Sequence, residues 1–209
     1  MNKIDYRNAF FDEFVKIAKK DKNVILLTAD TDADSLKKFK KENPDRFINT
    51  GVAEQETINL ATGLALSGKK VFIYSLLPFI TMRCFEQIKI NICSLKLPIT
   101  IIGLGTGLSF SHYGPAGHGV IDIGLMRMLP EMQILNPSDP VLAGKFANVA
   151  YRSKLPVYIR LNKGQDFPFY KKNFDITNGF EEVKKGKDIC VITTGNIIKN
   201  IVNIQKKLL

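Results

Sequence analysis

Glu54 is a carboxylate in an unusual position. It follows Gly51-Val52-Ala53 and precedes a helix of small residues and a strand with almost no charge. A glutamate in the first turn of a helix interacts well with the helix dipole, so a purely structural role is the simplest explanation. A glycine just before the helix, however, lets a ligand or another chain approach the backbone. Glu54 is therefore a candidate for proton chemistry if other chemical groups gather around it.

Two candidates follow the next predicted strand, in "YSLLPFITMRCFEQIKINI". Phe79 opens the helix after that strand, where its ring either joins the core or faces a ligand. Arg83 lies one turn further on. It has two candidate partners, Glu86 nearby or an anionic group from elsewhere.

Both histidines of the chain, His112 and His118, lie in the glycine-rich segment "GTGLSFSHYGPAGHGV". A long loop inside a compact domain is usually functional, and imidazole titrates near neutrality. Because no Cys, Asp or Glu stands nearby at ligand spacing, a metal site is not predicted. The glycine spacing also differs from a dinucleotide-binding fingerprint.

Arg160 and Lys163 come at the end of the predicted strand "PVYIRL". Cations in this position suit a phosphate or a carboxylate. An ordinary surface pair is an equally good interpretation of these two residues.

Predicted strands and helices alternate, which indicates a three-layer α/β/α fold with a mainly parallel sheet. Ligands of such sheets bind at the carboxyl ends of the strands, which gathers the candidates above and adds Asp30. The predicted strands are "NVILLTAD", "FINT", "KVFIYS", "PITIIGL", "MQILNP" and "PVYIRL". The main predicted helices cover 10–18, 54–67, 79–95, 121–128 and 139–151, the last capped by Ser138.

The alternating pattern defines a domain over residues 1–165, followed by a linker over 166–182. Residues 183–209 begin a further α/β unit, with "KDICVIT" as a strand and a helix after it. One strand and one helix cannot bury a core alone, so we expect this C-terminal domain to be truncated.

The composition excludes several classes of protein. The net charge is +10, but the lysines are spread over helix faces without interleaved aromatics, so no nucleic-acid partner is predicted. No apolar run is long enough for a membrane span, and the charged N-terminus does not resemble a signal peptide. Three cysteines without ligand spacing are typical of buried thiols in a reducing cytoplasm, which is the expected location.

The blocks "RFINTGVAEQ", "YSLLPFITMRCFEQI", "GPAGHGVIDIGLMRMLPEMQILNPSD" and "LPVYIRLNKG", in this order, resemble the pyrimidine-binding domain of transketolase-like enzymes that use thiamine diphosphate. The resemblance covers roughly residues 5–165. It implies a transferase that moves a two-carbon ketol unit between sugars or sugar phosphates. The segment after residue 186 resembles the start of that family's C-terminal domain.

The resemblance assigns a role to each candidate in the cofactor half of the site. The glutamate matching Glu54 hydrogen-bonds ring nitrogen N1′ of the aminopyrimidine and promotes loss of the proton from thiazolium C2. An apolar niche disfavours its charged form, so that it can hold or share a proton. Phe79 matches the aromatic residue that stacks on the aminopyrimidine, and Asp30 matches an aspartate near the cofactor. Arg83, one turn after Phe79, is a further residue that we expect to bind the cofactor.

The substrate half is assigned in the same way. His118 falls at the family's Gly-Pro-Thr-His position, although this chain reads Gly-Pro-Ala-Gly-His with one extra residue. His112 is a second candidate for its catalytic role. Lys163 matches an arginine that holds the substrate phosphate, keeping the charge without the bidentate fork. Arg160 is a further candidate for substrate binding.

A family motif that binds the diphosphate and Mg²⁺, Gly-Asp-Gly followed by an asparagine, does not occur in the sequence. The resemblance therefore implies a split transketolase whose N-terminal-half partner chain carries the Mg²⁺ site, in an α₂β₂ assembly. Alternatives are a β subunit of a 2-oxoacid dehydrogenase, a deoxyxylulose-phosphate-synthase-like enzyme, and a non-catalytic assembly subunit.

Overall fold

A parallel six-stranded sheet lies at the centre of the computed structural model, which describes residues 2–171, 174–176 and 179–208. In chain order the elements are β1 (Ile4–Asp5), α1 (Tyr6–Lys20), β2 (Val24–Thr28), α2 (Leu36–Glu42), β3 (Phe47–Asn49), α3 (Glu54–Leu66), β4 (Lys70–Leu76), α4 (Phe85–Gln87), β5 (Thr100–Leu104), α5 (Asp122–Arg127), β6 (Gln133–Leu135), α6 (Pro140–Arg152), β7 (Val157–Leu161), β8 (Gln165–Asp166) and α7 (Ile198–Leu208). The sheet order is β3-β2-β4-β5-β7-β6, and every pair is parallel.

Helices cover both faces of this sheet, which confirms the predicted α/β fold class. One face packs against α1 and α6, with Phe10, Phe11 and Phe14 buried against the sheet. The other face packs against α3, α5 and the helical segment that follows β4. β2 and β5 are buried along their whole length, which explains their continuous apolar sequence.

The sequence predicts one long α-helix after β4, but this segment contains two π-helical stretches. These are Phe79–Arg83 and Ile88–Cys93, on either side of the single turn α4. Within the first stretch, the hydroxyl of Thr81 donates to the carbonyl oxygen of Leu77 at 2.7 Å. π turns are rare and often occur at functional sites, so this segment is of interest beyond packing.

The N-cap of α6 differs from the prediction by one residue. Asp139, and not Ser138, caps the helix: its Oδ1 accepts from the amide of Leu142 at 2.8 Å. Its Oδ2 accepts from the amides of Phe169 and Tyr170 at 2.7 and 2.8 Å. The buried carboxylate therefore caps α6 and also holds the segment that follows β8, a second role that a serine hydroxyl could not fill in the same way.

The predicted strand "KDICVIT" is wrong for this structure, in which residues 187–194 have no strand pairing. Ile192 is 93% exposed, and Ile189 and Val191 are exposed as well. A strand needs a neighbouring edge for its backbone groups, and none is paired with this segment. The following helix, α7, forms as predicted, with Ile198 buried. The division of the chain at residues 165 and 183 stays a prediction.

No helix in the described part of the chain is long and apolar enough to cross a membrane.

Candidate functional site

Glu54 is the first residue of α3, at the edge of the sheet where the parallel strands end. The turn before it requires Gly51, whose φ of 69° is unfavourable for a side chain. Asn49, the last residue of β3, supports this turn because its Oδ1 accepts from the amide of Gly51 at 3.0 Å. Glu54 is only 2% exposed, so the chain buries a carboxylate at the start of a helix.

Arg83 is the partner of this carboxylate. Its Nη1 donates to Oε2 of Glu54 at 2.7 Å, although the two residues are 29 positions apart. The guanidinium carbon also lies 4.7 Å from the centroid of the Phe79 ring. The first π stretch begins at Phe79 and ends at Arg83, so one helical segment supplies both groups. The structure therefore brings together three of the residues predicted to bind the cofactor.

An open cavity of about 490 Å³ adjoins the pair. Its lining comes from the start of α3, the two residues before it and the helical segment that faces it: Val52, Ala53, Glu54, Gln55, Glu56, Asn59, Arg83 and Gln87. A second cavity, of about 570 Å³, is lined by Phe169, Tyr170, Lys171, Phe174, Glu181, Val183, Lys184 and Val202. The smaller cavity is the relevant one, because it contains the buried carboxylate.

Asp30 follows β2 at the same edge and has a positive φ of 49°. Its amide donates to Oδ1 of Asn49 at 3.0 Å, the oxygen that also supports the Gly51 turn. A non-glycine residue in this region of φ is uncommon, and aspartate is among the residues that tolerate it. The side chain of Asp30 is exposed beside the turn that leads to Glu54.

The glycine-rich segment forms a loop closed at its base. Gly107 and Gly119 exchange two backbone hydrogen bonds of 2.8 Å. Inside the loop, Phe110 packs so tightly that a Cβ on Gly105 would lie 2.3 Å from its ring. His112 lies on the exposed side, with its ring 4.2 Å from that of Tyr113. The loop is therefore a packed structure that presents its polar groups outward.

Lys163 and His112 both contact the Phe110 ring. The ammonium of Lys163 lies 4.3 Å from the ring centroid, in a cation–π contact, and the His112 ring lies 6.0 Å away. His118 is half-buried just before the closing Gly119. The structure thus brings Lys163, predicted to bind substrate, and His112, a predicted catalytic residue, to one aromatic ring, with His118 at the base of the same loop.

Arg160 points to an internal partner. Its Nε donates to Oδ2 of Asp122 at 2.7 Å, and its Nη2 donates to the carbonyl oxygen of Gly119 at 2.7 Å. The hydroxyl of Tyr158 also donates to Asp122, at 2.7 Å, and burial raises the pKa of this phenol well above its usual value. These contacts hold the base of the glycine-rich loop. The predicted role of Arg160 in substrate binding stays a prediction, and its side chain is already engaged.

The sequence interpretation missed three residues that shape the site. Asp122 is a fully buried carboxylate, and the signal for it was an acidic residue among the apolar residues of "GVIDIGLM". Asn49 lies at a strand end, two residues before a glycine, where asparagine commonly supports a turn. Nothing in the sequence indicated the role of Phe110. Lys163 lies 53 residues away in the sequence, and Gly105 is one of several glycines in the same segment.

The residues present fit an aminopyrimidine. A flat, stackable ring needs an aromatic neighbour and a hydrogen-bond partner in its plane, and Phe79 and Glu54 are joined here through the flat guanidinium of Arg83. Over residues 2–171, 174–176 and 179–208, no group of three or more His, Cys, Asp or Glu side chains could hold a metal ion.

Comparison with known proteins gives a family for most of the chain. Residues 2–166 match the family model described as transketolase, pyrimidine binding domain. A subunit of the apulose-4-phosphate transketolase of Actinobacillus succinogenes is 31% identical over 204 residues, covering 96% of this chain and 65% of the relative. The 1-deoxy-D-xylulose-5-phosphate synthase of Clostridium perfringens is 31% identical over 207 residues, covering 98% of this chain but 33% of the relative.

Solved structures agree with this match. A chain of a structure described as a split gene transketolase, inactive beta4 tetramer, has a TM-score of 0.88 and 29% identity, with 99% of this chain and 68% of that chain covered. A transketolase from Pichia stipitis has a TM-score of 0.67 at 17% identity, with 79% of this chain and 26% of that chain covered, which shows the fold alone. The chain thus spans slightly less than two thirds of the curated transketolase subunits that it matches.

Proposed function

The chain belongs to the family of transketolase pyrimidine-binding domains, and from this premise we propose that it is the C-terminal-half subunit of a split, thiamine-diphosphate-dependent transketolase. The reaction proposed is transfer of a two-carbon ketol unit between sugars or sugar phosphates. The observation that carries the proposal is the buried Glu54 carboxylate at the start of α3, joined through Arg83 to the Phe79 ring.

Thiamine diphosphate would supply the bond-breaking chemistry, and this chain would bind and polarise its pyrimidine end. Phe79 provides the face on which a flat ring stacks. Glu54 provides a carboxylate that holds or shares a proton at ring nitrogen N1′. Because Glu54 is almost fully buried, water cannot compete for this hydrogen bond.

The glycine-rich loop would serve the sugar substrate. Lys163 offers a positive charge to an anionic group, and the Phe110 ring beneath it limits the positions of its ammonium. His112 and His118 are the candidates for proton transfer or hydrogen bonding to sugar hydroxyls. Arg160, bonded to Asp122, contributes by holding the base of the loop.

A partner chain completes the proposed site. We infer that an N-terminal-half subunit holds the diphosphate and Mg²⁺, since this sequence lacks the Gly-Asp-Gly motif. The names of similar proteins support a divided enzyme. Two curated relatives are each named as one subunit of a transketolase, and the structural relative is named as a split gene transketolase in an inactive β tetramer. An α₂β₂ assembly remains the proposed state of the active protein.

A second candidate is a deoxyxylulose-phosphate-synthase-like reaction, in which a 2-oxoacid is the donor. The supporting observation is the similarity to the Clostridium perfringens synthase over 98% of this chain. The two reactions differ in the donor, so an assay with a ketose phosphate and an assay with a 2-oxoacid separate them.

The test begins with recovery of the native partner by affinity purification of this chain from its source. The complex is then assayed with thiamine diphosphate, Mg²⁺ and a ketose phosphate donor. Glu54→Gln should lower kcat by at least about 100-fold, since it removes a group of the activation machinery. Glu42→Gln is the matched control, because Glu42 is an exposed glutamate at the end of α2 and does not line the cavity. Normal turnover by the Glu54→Gln complex would refute the proposed mechanism.

A further inference from the structure

The guanidinium of Arg83 lies between the two groups expected to bind the aminopyrimidine. It donates to Glu54 at 2.7 Å and stacks over Phe79 at 4.7 Å. The main chain at this point is also tied to α3, because Nε2 of Gln55 donates to the carbonyl oxygen of Arg83 at 3.2 Å. The side chain thus has two defined contacts, and its backbone is held by a third.

These two contacts match those of an aminopyrimidine in shape and chemistry. A guanidinium is planar and delocalised, stacks on aromatic faces, and carries N–H donors in its plane. An aminopyrimidine bound by Phe79 and Glu54 would likewise stack on the ring and share a proton with the carboxylate. The two groups cannot fill the same space. We propose that Arg83 occupies the aminopyrimidine position in the cofactor-free chain and leaves it when the cofactor binds, an inference that rests on the proposed function.

Burial of Glu54 gives a reason for such a substitute. A buried carboxylate without a partner is strongly destabilising, so the empty site needs a compensating cation. The Glu54 side chain is 2% exposed, whereas that of Arg83 is 44% exposed. The arginine can therefore swing into solvent without losing a buried environment. Loading of the site is then an exchange of a guanidinium for a pyrimidine.

This exchange also separates two states of the carboxylate. While Arg83 is bound, Glu54 faces a permanent cation that cannot give up a proton at neutral pH. Once the guanidinium leaves, the same buried carboxylate faces a neutral ring nitrogen with which it can share a proton. Arg83 is thus a positioning residue that keeps the site assembled but inactive until the cofactor arrives.

The experiment measures binding of thiamine, which carries the aminopyrimidine without the diphosphate and so needs no partner chain. Thiamine is titrated into the full cofactor-free chain and its binding is followed by ligand-observed NMR. The variants are Arg83→Met, which removes the competing cation, and Arg83→Lys, which keeps the charge but loses the flat shape. Arg152→Met, at the exposed end of α6, is the matched control.

We expect Arg83→Met to bind thiamine about 5- to 30-fold more tightly than the wild type. This is the gain expected when binding no longer has to break an ion pair of ordinary strength. Arg83→Lys should fall between the two, and Arg152→Met should equal the wild type. Equal or weaker binding by Arg83→Met, or no binding by any variant, would overturn the inference. Failure of the proposed function is distinct, because it would appear as an inactive complex with the native partner.

Discussion

Asp122→Ala is the perturbation that tests most directly how the glycine-rich loop is held. The carboxylate is fully buried and accepts three hydrogen bonds: from Tyr158 at 2.7 Å, and from Nε and Nη2 of Arg160 at 2.7 and 3.2 Å. Its removal leaves a guanidinium and a phenol in the interior without their acceptor. The free energy of unfolding should therefore fall by far more than for a surface ion pair.

The size of the loss follows from the burial of the donors. Breaking a buried ion pair by removing one partner costs about 3–5 kcal/mol, and a buried hydroxyl without an acceptor about 1–3 kcal/mol. Arg160 keeps its bond to the carbonyl of Gly119 and is 15% exposed, so the loss from the ion pair should lie at the lower end of its range. We expect a total loss of about 4 kcal/mol, or about 8–16 °C in Tm for a chain of this size.

Urea unfolding followed by far-UV circular dichroism measures this loss, since the chain has no tryptophan for fluorescence. The double variant Asp122→Leu with Arg160→Met replaces both charges by apolar groups and should lose less than Asp122→Ala alone. Hydrogen exchange of amides in 107–119 should also accelerate in Asp122→Ala. A loss below about 1 kcal/mol in Asp122→Ala, or a double variant that loses as much as Asp122→Ala, would refute the reasoning.

Two further predictions concern titrating groups. Burial, with a smaller effect of nearby Lys154, lowers the pKa of Lys70 to about 8. Between about pH 8 and pH 10.5 the folded state has released this proton and the unfolded state still holds it, so the free energy of unfolding of the wild type should rise with pH in this range. Lys70→Met should abolish this rise and gain about 1–2 kcal/mol at pH 7, measured as the difference between the two urea unfolding curves at each pH; identical pH profiles would contradict it. Burial raises the pKa of the thiols of Cys84 and Cys93 to about 12 and about 11, so at pH 8 a disulfide reagent should label exposed Cys190 first. Equal labelling rates of the three thiols in the native chain would contradict this.

The sequence predicted local elements well because their signals are local. Apolar runs located the buried strands, and the Gly-Val-Ala-Glu-Gln block located Glu54 at a helix start. The partner of Arg83 was not predictable, since Glu86 lies three residues away and Glu54 lies 29 away. Contacts across such separations depend on the strand order, which the sequence pattern does not specify.

The errors have the same physical origin. "KDICVIT" has strong strand propensity, but no strand pairs with it in the described structure, so propensity alone did not decide its conformation. The ion pair of Arg160 was missed for the same reason, because its partner Asp122 lies 38 residues earlier in the sequence. The cap of α6 was assigned to Ser138 because the second role of Asp139, toward Phe169 and Tyr170, lies outside the helix.

The closed base of the glycine-rich loop has a consequence for how such a protein can diverge. Gly107 pairs with Gly119, and Arg160 donates a hydrogen bond to the carbonyl oxygen of Gly119. The residues between the two glycines therefore form a loop with fixed ends. Changes at the tip, around His112, leave α3 and its carboxylate untouched. Under the proposed function, the choice of sugar and the activation of the cofactor would therefore depend on separately supported parts of the chain. Residues in the loop tip can then change while the helix start that carries Glu54 stays constant.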